Sequence, residues 1–270
     1  MFYDFFRKEA RRYILFLCAV LSTFFLTAGA ALAQAGKAEM LIYCGITMVR
    51  PMTEIAQLFE KKENVKITLA QGGSEDLYQS AKKSGVGDLY LPGEPSYRDK
   101  YLSEGLLGEF QIVGYNQMAM MVAKGNPHKV KGDVRELLRK DLVVSIGNAT
   151  SGSVGKETKD ILDALKIYQK VVAAAIFLAP DSRGLNNALK KGEVDVVMNW
   201  RATGFFADNI GALEVIDLDP KLATPQALRL NLLTFSKHKE LARRFIAFSA
   251  GDEGQAIFRK YGFLDNRAQR

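Results

Sequence analysis

From residue 40 onward the chain alternates short apolar runs with stretches in which apolar residues return every three or four positions. Residues 40–44 (Met-Leu-Ile-Tyr-Cys) form a continuous apolar run of strand length. Met52, Ile55, Leu58 and Phe59 share one face of a helix over 52–62. Residues 65–70 alternate apolar and polar, the period of a strand. A helix is predicted over 75–84 with Ser74 as its N-cap, then a strand over 87–91 and a short helix over 95–105 closed by Gly105. This β-α-β-α-β-α order predicts a parallel sheet with helices on both faces.

The second half repeats the theme after one long element. Residues 112–124 read as an extended strand ending at Gly125-Asn126-Pro127, the expected crossing into a second lobe. A helix over Val134–Leu138, a strand over 142–146 and a helix over 154–165 follow. Strands are then expected at 176–178 and 194–199, with a helix over 185–191 between them. A strand over 228–235 returns to the first lobe, and helices over 240–248 and 254–260 close the chain. The pattern predicts an α/β protein of two lobes, each a mostly parallel sheet flanked by helices. Lobe I takes 38–115 plus 228–270, lobe II takes 116–227, and two crossings leave a cleft between them. In such sheets ligands sit beyond the carboxyl ends of the strands.

The first 33 residues stand apart. Arg7, Lys8, Arg11 and Arg12 precede an almost wholly apolar run over 13–27, and Ala31-Leu32-Ala33 fits a small-x-small cleavage site. This predicts a secretory signal peptide, cut after Ala33, and an exported, periplasmic protein; an uncleaved anchor is the competing reading. Cys18 would leave with the signal, and Cys44 alone remains, so no intramolecular disulfide is expected. Core filler is its ordinary role, and a soft ligand to a thiophilic oxyanion the other. The composition, 48% hydrophobic and 25% charged, is globular, and the net charge is +7. The basic residues are interspersed with acids, as in Glu60-Lys61-Lys62-Glu63, without an aromatic-interleaved stripe, so no nucleic-acid partner is expected.

Three small-residue turns each lie between a predicted strand and a predicted helix: Gly45-Ile46-Thr47, Gly72-Gly73-Ser74 and the stretch 147–153 (Gly-Asn-Ala-Thr-Ser-Gly-Ser). Such turns present unpaired N–H groups and short hydroxyls at helix N-termini, the material of an anion site. Helix capping is the alternative use of the same residues. Only His128 and His238 are present, both in loops that look exposed, so neither a nucleophile–base constellation nor a zinc site is suggested. Residues 150–157 fail the phosphate-loop pattern, with Thr150 at the first glycine position and Glu157 at the Ser/Thr position. What survives is binding rather than catalysis, with no cofactor and no resident metal.

The chain resembles the periplasmic molybdate- and tungstate-binding proteins of ABC importers, within the type II solute-binding fold. The likeness rests on 52–60 with 65–68, on Gly87-Asp88-Leu89-Tyr90-Leu91, and on Val122-Ala123-Lys124-Gly125-Asn126-Pro127. It continues through Asp181-Ser182-Arg183-Gly184-Leu185, through 193–197, and through 254–263 near the C-terminus. The resemblance implies a monomer that captures molybdate or tungstate by hinged closure and hands it to ABC permease subunits. It places Thr47, Ser74, Ser153 with the N–H of Val154, and Ser182 on the ligand. Trp200 falls where the family usually has a tyrosine, which leaves the choice of anion open. Ile46, Gly73, Thr150, Ser151, Arg183 and Asn199 are secondary candidates, and Arg50 and Arg201 lie near enough to add charge. Two other roles fit the same residues: a binder of another small anion or organic solute, and a ligand-sensing subunit for a membrane receptor.

Overall fold

The computed structural model describes residues 37–265. The expected signal peptide and the last five residues assigned to lobe I lie outside them. The first sheet has the order β2-β1-β3-β10-β4. Its strands are β1 (Glu39–Gly45), β2 (Lys66–Gly72), β3 (Leu89–Leu91), β4 (Leu107–Asn116) and β10 (Gln226–Leu233). The second has the order β7-β6-β8-β5-β9. It comprises β5 (Met118–Ala123), β6 (Val144–Gly147), β7 (Phe177–Ala179), β8 (Val196–Trp200) and β9 (Leu213–Asp217). Only β10 opposes its neighbours in the first sheet, and only β5 in the second. Four strands of each sheet therefore point one way, and their carboxyl ends collect the turns.

The period-2 pattern of β1 explains the layering. Met40, Ile42 and Cys44 enter one core with Met52, Ile55 and Phe59 of α1 (Val49–Glu63) and Phe245 of α7 (Lys239–Ala250). Phe258 of α8 (Asp252–Lys260) completes that side. Leu41 and Tyr43 face the opposite layer, where Leu77 and Tyr78 of α2 (Ser74–Ser84) meet Tyr97 and Tyr101 of α3 (Ser96–Tyr101). Helix ends follow local chemistry. Asn64 caps α1 at φ 52°, and Gly85 ends α2 at φ 61° with its N–H on the Ala81 carbonyl. The second core joins β5, β6 and β8 to α4 (Ser153–Ala164), α5 (Tyr168–Ala174) and α6 (Ser182–Lys190).

Several expectations change. The long strand over 112–124 is two strands, β4 and β5, broken at Gln117, where the chain leaves one sheet for the other. The Gln117 side chain donates to the Ala223 carbonyl in the return passage between β9 and β10, tying the two crossings together. Val134–Leu138 is a 3₁₀ segment rather than an α-helix. The sequence reading missed α5 and β9. Among the described residues no helix is long and apolar enough to cross a membrane.

Candidate functional site

Four β-to-α turns converge at the carboxyl ends of β1, β2, β6 and β7. After β1 a 3₁₀ turn over Ile46–Met48 leads into α1. Gly45 lets the turn pack closely: a Cβ there would stand 2.7 Å from the Met48 methyl and 3.2 Å from the Leu91 carbonyl oxygen. Ser74, Ser153 and Ser182 are each the first residue of a helix, α2, α4 and α6 respectively. Glycine precedes the first two, and Asp181 precedes the third, where its Oδ1 accepts the Gly184 N–H at 2.9 Å. Capping does not account for Ser74 or Ser153: neither side chain caps its helix, and both hydroxyls are turned to other partners.

Those partners set what the hydroxyls can do. The Ser74 Oγ accepts the Gly93 N–H at 3.0 Å, and the Ser153 Oγ accepts the Trp200 indole N–H at 3.3 Å. With an acceptor lone pair engaged by an N–H, each hydroxyl keeps its proton to donate. Thr47 Oγ1 donates to Ser182 Oγ at 3.3 Å, which joins the first lobe to the second and leaves the Ser182 proton as a donor. All four hydroxyl-bearing residues are less than one-tenth exposed. Three α-helix N-termini, each worth roughly +0.5 charge, point into the same place. The site is thus rich in donors, which suits a ligand made of acceptors.

The cavity these turns enclose is small, about 10 Å³, the space of about one water. Ile46, Thr47, Gly73, Ser74, Ser153, Val154 and Ser182 all line it. The lobes meet at its rim: a Cβ on Gly73 would stand 2.3 Å from the Ser151 carbonyl oxygen, and one on Gly93 2.1 Å from the Ser153 Oγ. Asn199 lies behind the cavity and holds its frame, donating to the Ser182 carbonyl and Asn186 Oδ1 while accepting the Trp200 N–H. Trp200 is fully buried and reaches the cavity only through Ser153. Thr150 is turned away, its hydroxyl on Asn148 Oδ1, and Ser151 bonds the Asn148 and Pro180 carbonyls.

The cations lie off to the side. Arg183 donates to Gln71 Oε1, Arg50 pairs with Asp208 at 2.6 Å, and Arg201 pairs with Asp217 at 2.8 Å. Cys44 sits at zero exposure in the first core, away from the cavity lining, and burial pushes its thiol well up, so it stays protonated and apolar. His128 and His238 are half-buried rather than exposed, each beside an aspartate, Asp195 at 3.2 Å and Asp88 at 3.3 Å. Among the described residues no group of three or more His, Cys, Asp or Glu side chains could hold a metal ion. Sequence reasoning missed Gly93, which lines the cavity and donates its N–H to Ser74 Oγ. Its signal was the Pro92-Gly93-Glu94-Pro95 turn at the end of β3, the same position in the topology as the turns it found.

Residues 40–264 match the family model of bacterial extracellular solute-binding proteins. The chain is 22% identical over 262 residues to a Bacillus subtilis (strain 168) protein provisionally named an ABC transporter substrate-binding lipoprotein, covering 94% of this chain and 98% of that one. Among solved structures, the periplasmic molybdate-binding protein of Azotobacter vinelandii superposes with a TM-score of 0.70 at 14% identity, over 83% of this chain and 98% of that one. The sulfate-binding protein SubI of Mycobacterium tuberculosis H37Rv gives 0.73 at 15% identity, over 84% and 86%. At these identities the structural likenesses speak to the fold.

Proposed function

We propose that this chain, which belongs to the family of bacterial extracellular solute-binding proteins, captures a small oxyanion between its two lobes and delivers it to an ABC permease. Binding solutes for import is the family's role, and enzymatic turnover is not part of it. Molybdate and tungstate are the first candidates. One observation carries the reading: Ser74, Ser153 and Ser182 each accept a hydrogen bond that leaves the hydroxyl proton free to donate, beside three converging α-helix N-termini. A tetrahedral oxyanion at neutral pH offers only acceptors, and neutral donors at helix ends hold it without a full counter-charge.

The size of the cavity dictates the order of events. A four-oxygen anion exceeds the space of about one water, so it enters with the lobes parted and replaces the direct Thr47–Ser182 hydrogen bond when they close. The crossings at Gln117 and between β9 and β10 are where such a motion pivots. Export across the inner membrane, a monomeric state and the lobe boundaries at 115/116 and 227/228 belong to the same proposal. Calorimetry of the exported form with molybdate, tungstate, sulfate and phosphate tests it. One-to-one binding of at least one of these anions is expected; no heat from any of them would sink the oxyanion reading.

A further inference from the structure

Beside the turn cavity lies a larger one of about 190 Å³, and the two share Ile46, Thr47 and Ser182. One face of α6 lines it, with Arg183, Asn186 and Lys190 recurring at helical spacing, and Arg50 at the start of α1 lines it from the first lobe. Three cations, Arg50, Arg183 and Lys190, thus stand against one carboxylate, Asp208, a balance of +2. Asp208 is already engaged: its Oδ1 meets Arg50 at 2.6 Å and its Oδ2 meets Lys190 at 3.6 Å. Arg183 makes a single hydrogen bond among the described residues, to Gln71 Oε1 at 3.3 Å, so most of its guanidinium fork is uncommitted.

A buried amide in the same lining is half-satisfied. Asn186 is 4% exposed, and a chain of hydrogen bonds fixes its orientation. Asn199 Oδ1 accepts the Trp200 backbone N–H, so Asn199 presents its Nδ2 to Asn186 and meets Oδ1 there at 2.8 Å. Asn186 Nδ2 is left for another partner and has none among the described residues. Nor is it shut away: the partnerless polar atoms sealed from solvent belong to Asn116, Asn209 and Gln255. Asn209 lines the cavity only as wall, its Nδ2 on the Thr203 carbonyl at 2.8 Å and its Oδ1 sealed off. A donor on a buried residue without an acceptor is costly, and native proteins rarely leave one so. What the cavity leaves unmatched is therefore an N–H donor and an excess of positive charge, and both call for an anionic acceptor.

We propose that this cavity is a second subsite, continuous with the turn cavity through Thr47 and Ser182, and that it takes the carboxylate of a ligand whose head, a phosphonate or phosphate ester, seats on the turns. The inference rests on the oxyanion reading above and names a ligand class within it. The carboxylate accepts from Asn186 Nδ2 and from the Arg183 fork, a pairing of charge-assisted hydrogen bonds. A neutral arm accepts the same N–H but leaves the +2 lining uncompensated, and an ammonium arm is repelled by it. A cavity of about 190 Å³ has room for such an arm, which the turn cavity of about 10 Å³ lacks.

Calorimetry of the exported form with phosphonoacetate, phosphonoacetamide and methylphosphonate tests this, with molybdate alongside. The first two differ only in ending in a carboxylate or an amide of the same shape, methylphosphonate lacks the arm, and molybdate reads the turns alone. Phosphonoacetate is expected to bind about ten-fold more tightly than phosphonoacetamide, the margin of a hydrogen bond to a charged acceptor over one to a neutral acceptor. Arg183→Met should shrink that ratio. Asn186→Asp keeps the acceptor for Asn199 and should invert the ratio, because carboxylate then faces carboxylate. Arg183 is exposed, so its variant keeps the test available if Asn186→Asp fails to fold. Equal affinities of the parent for the carboxylate and the amide, or a ratio that Arg183→Met leaves unchanged, overturn the subsite; with molybdate or methylphosphonate still bound, the oxyanion reading stands. If molybdate and all three phosphonates fail to bind, the oxyanion reading falls and this inference with it.

Discussion

Replacing Glu157 with glutamine should make the protein markedly more stable above neutral pH and leave it nearly unchanged in acid. Glu157 lies on α4 at 8% exposure, with Gln226 of β10 donating to its Oε1 at 3.0 Å. Burial raises its pKa first, and the carboxylates of Glu94 and Asp160 raise it further, against opposing contributions from Lys156 and Gln226, so that it reaches about 7 from an ordinary 4.5. Glu94 is itself buried, and Lys156 stands between the acids, 3.8 Å from Glu94 and 2.6 Å from Asp160. The sign follows from proton counting. Between about 4.5 and 7 the folded chain holds a proton at Glu157 that the unfolded chain has lost, so stability falls as pH rises through that window. The rise from 4.5 to about 7 corresponds to about 3 kcal/mol at most, present as a penalty above pH 7 and absent below pH 4.5. The amide of the variant is neutral at every pH and keeps an acceptor for Gln226. Urea unfolding of parent and Glu157→Gln at pH 5 and pH 8 measures it. The variant should match the parent at pH 5 and gain up to about 3 kcal/mol at pH 8, or roughly 6–12 °C in Tm for a domain of this size. Identical pH slopes in the two proteins would refute the reasoning, because they would mean that Glu157 ionises freely in the folded state.

Gly73→Ala places a Cβ 2.3 Å from the Ser151 carbonyl oxygen across the cleft, at a backbone φ of −67° that alanine adopts without strain. It should act as a wedge, abolishing the ligand-induced drop in radius of gyration seen by small-angle scattering while leaving Tm within a few degrees. Ser153→Ala removes one donor and the acceptor for the Trp200 indole. Oxyanion affinity should fall about ten-fold or more, as expected for a hydrogen bond to a charged group. Because Trp200 is the single tryptophan, its emission should shift in the same variant. Asp181→Ala deletes the side-chain cap of α6 and should cost about 1 kcal/mol, a drop of roughly 2–4 °C in thermal unfolding.

The α/β alternation was legible because its apolar periods are long and its turns carry glycine. The layering of β1, with Ile42 on one core and Tyr43 on the other, is the period of 2 that the sequence displays. The pattern failed where two signals overlapped. In α5 only Tyr168 and Val171 are buried, and the apolar run from Val171 onward merges with β7, so no separate helix stands out. The edge strand β9 is five residues with one fully buried side chain, too weak an alternation to notice. The turns of the site were visible as small-residue motifs, but their hydrogen bonding was not. Ser74 and Ser153 read equally well as caps, and only the approach of Gly93 and Trp200, 19 and 47 residues away, decides what their hydroxyls do. Asp208 and Asn209 were invisible for the same reason: their partners come from other elements, Arg50 in α1 and Lys190 in α6 on one side, Thr203 on the other.

Anomalous diffraction from crystals grown with tungstate tests the central claim most directly, because tungsten marks its own position. One strong peak is predicted within hydrogen-bonding reach of its oxygens to Thr47, Ser74, Ser153 and Ser182, with Thr47 and Ser182 no longer bonded to each other. A peak elsewhere on the chain, or a tungstate-soaked cleft with the Thr47–Ser182 hydrogen bond intact and no density beside it, would contradict the account.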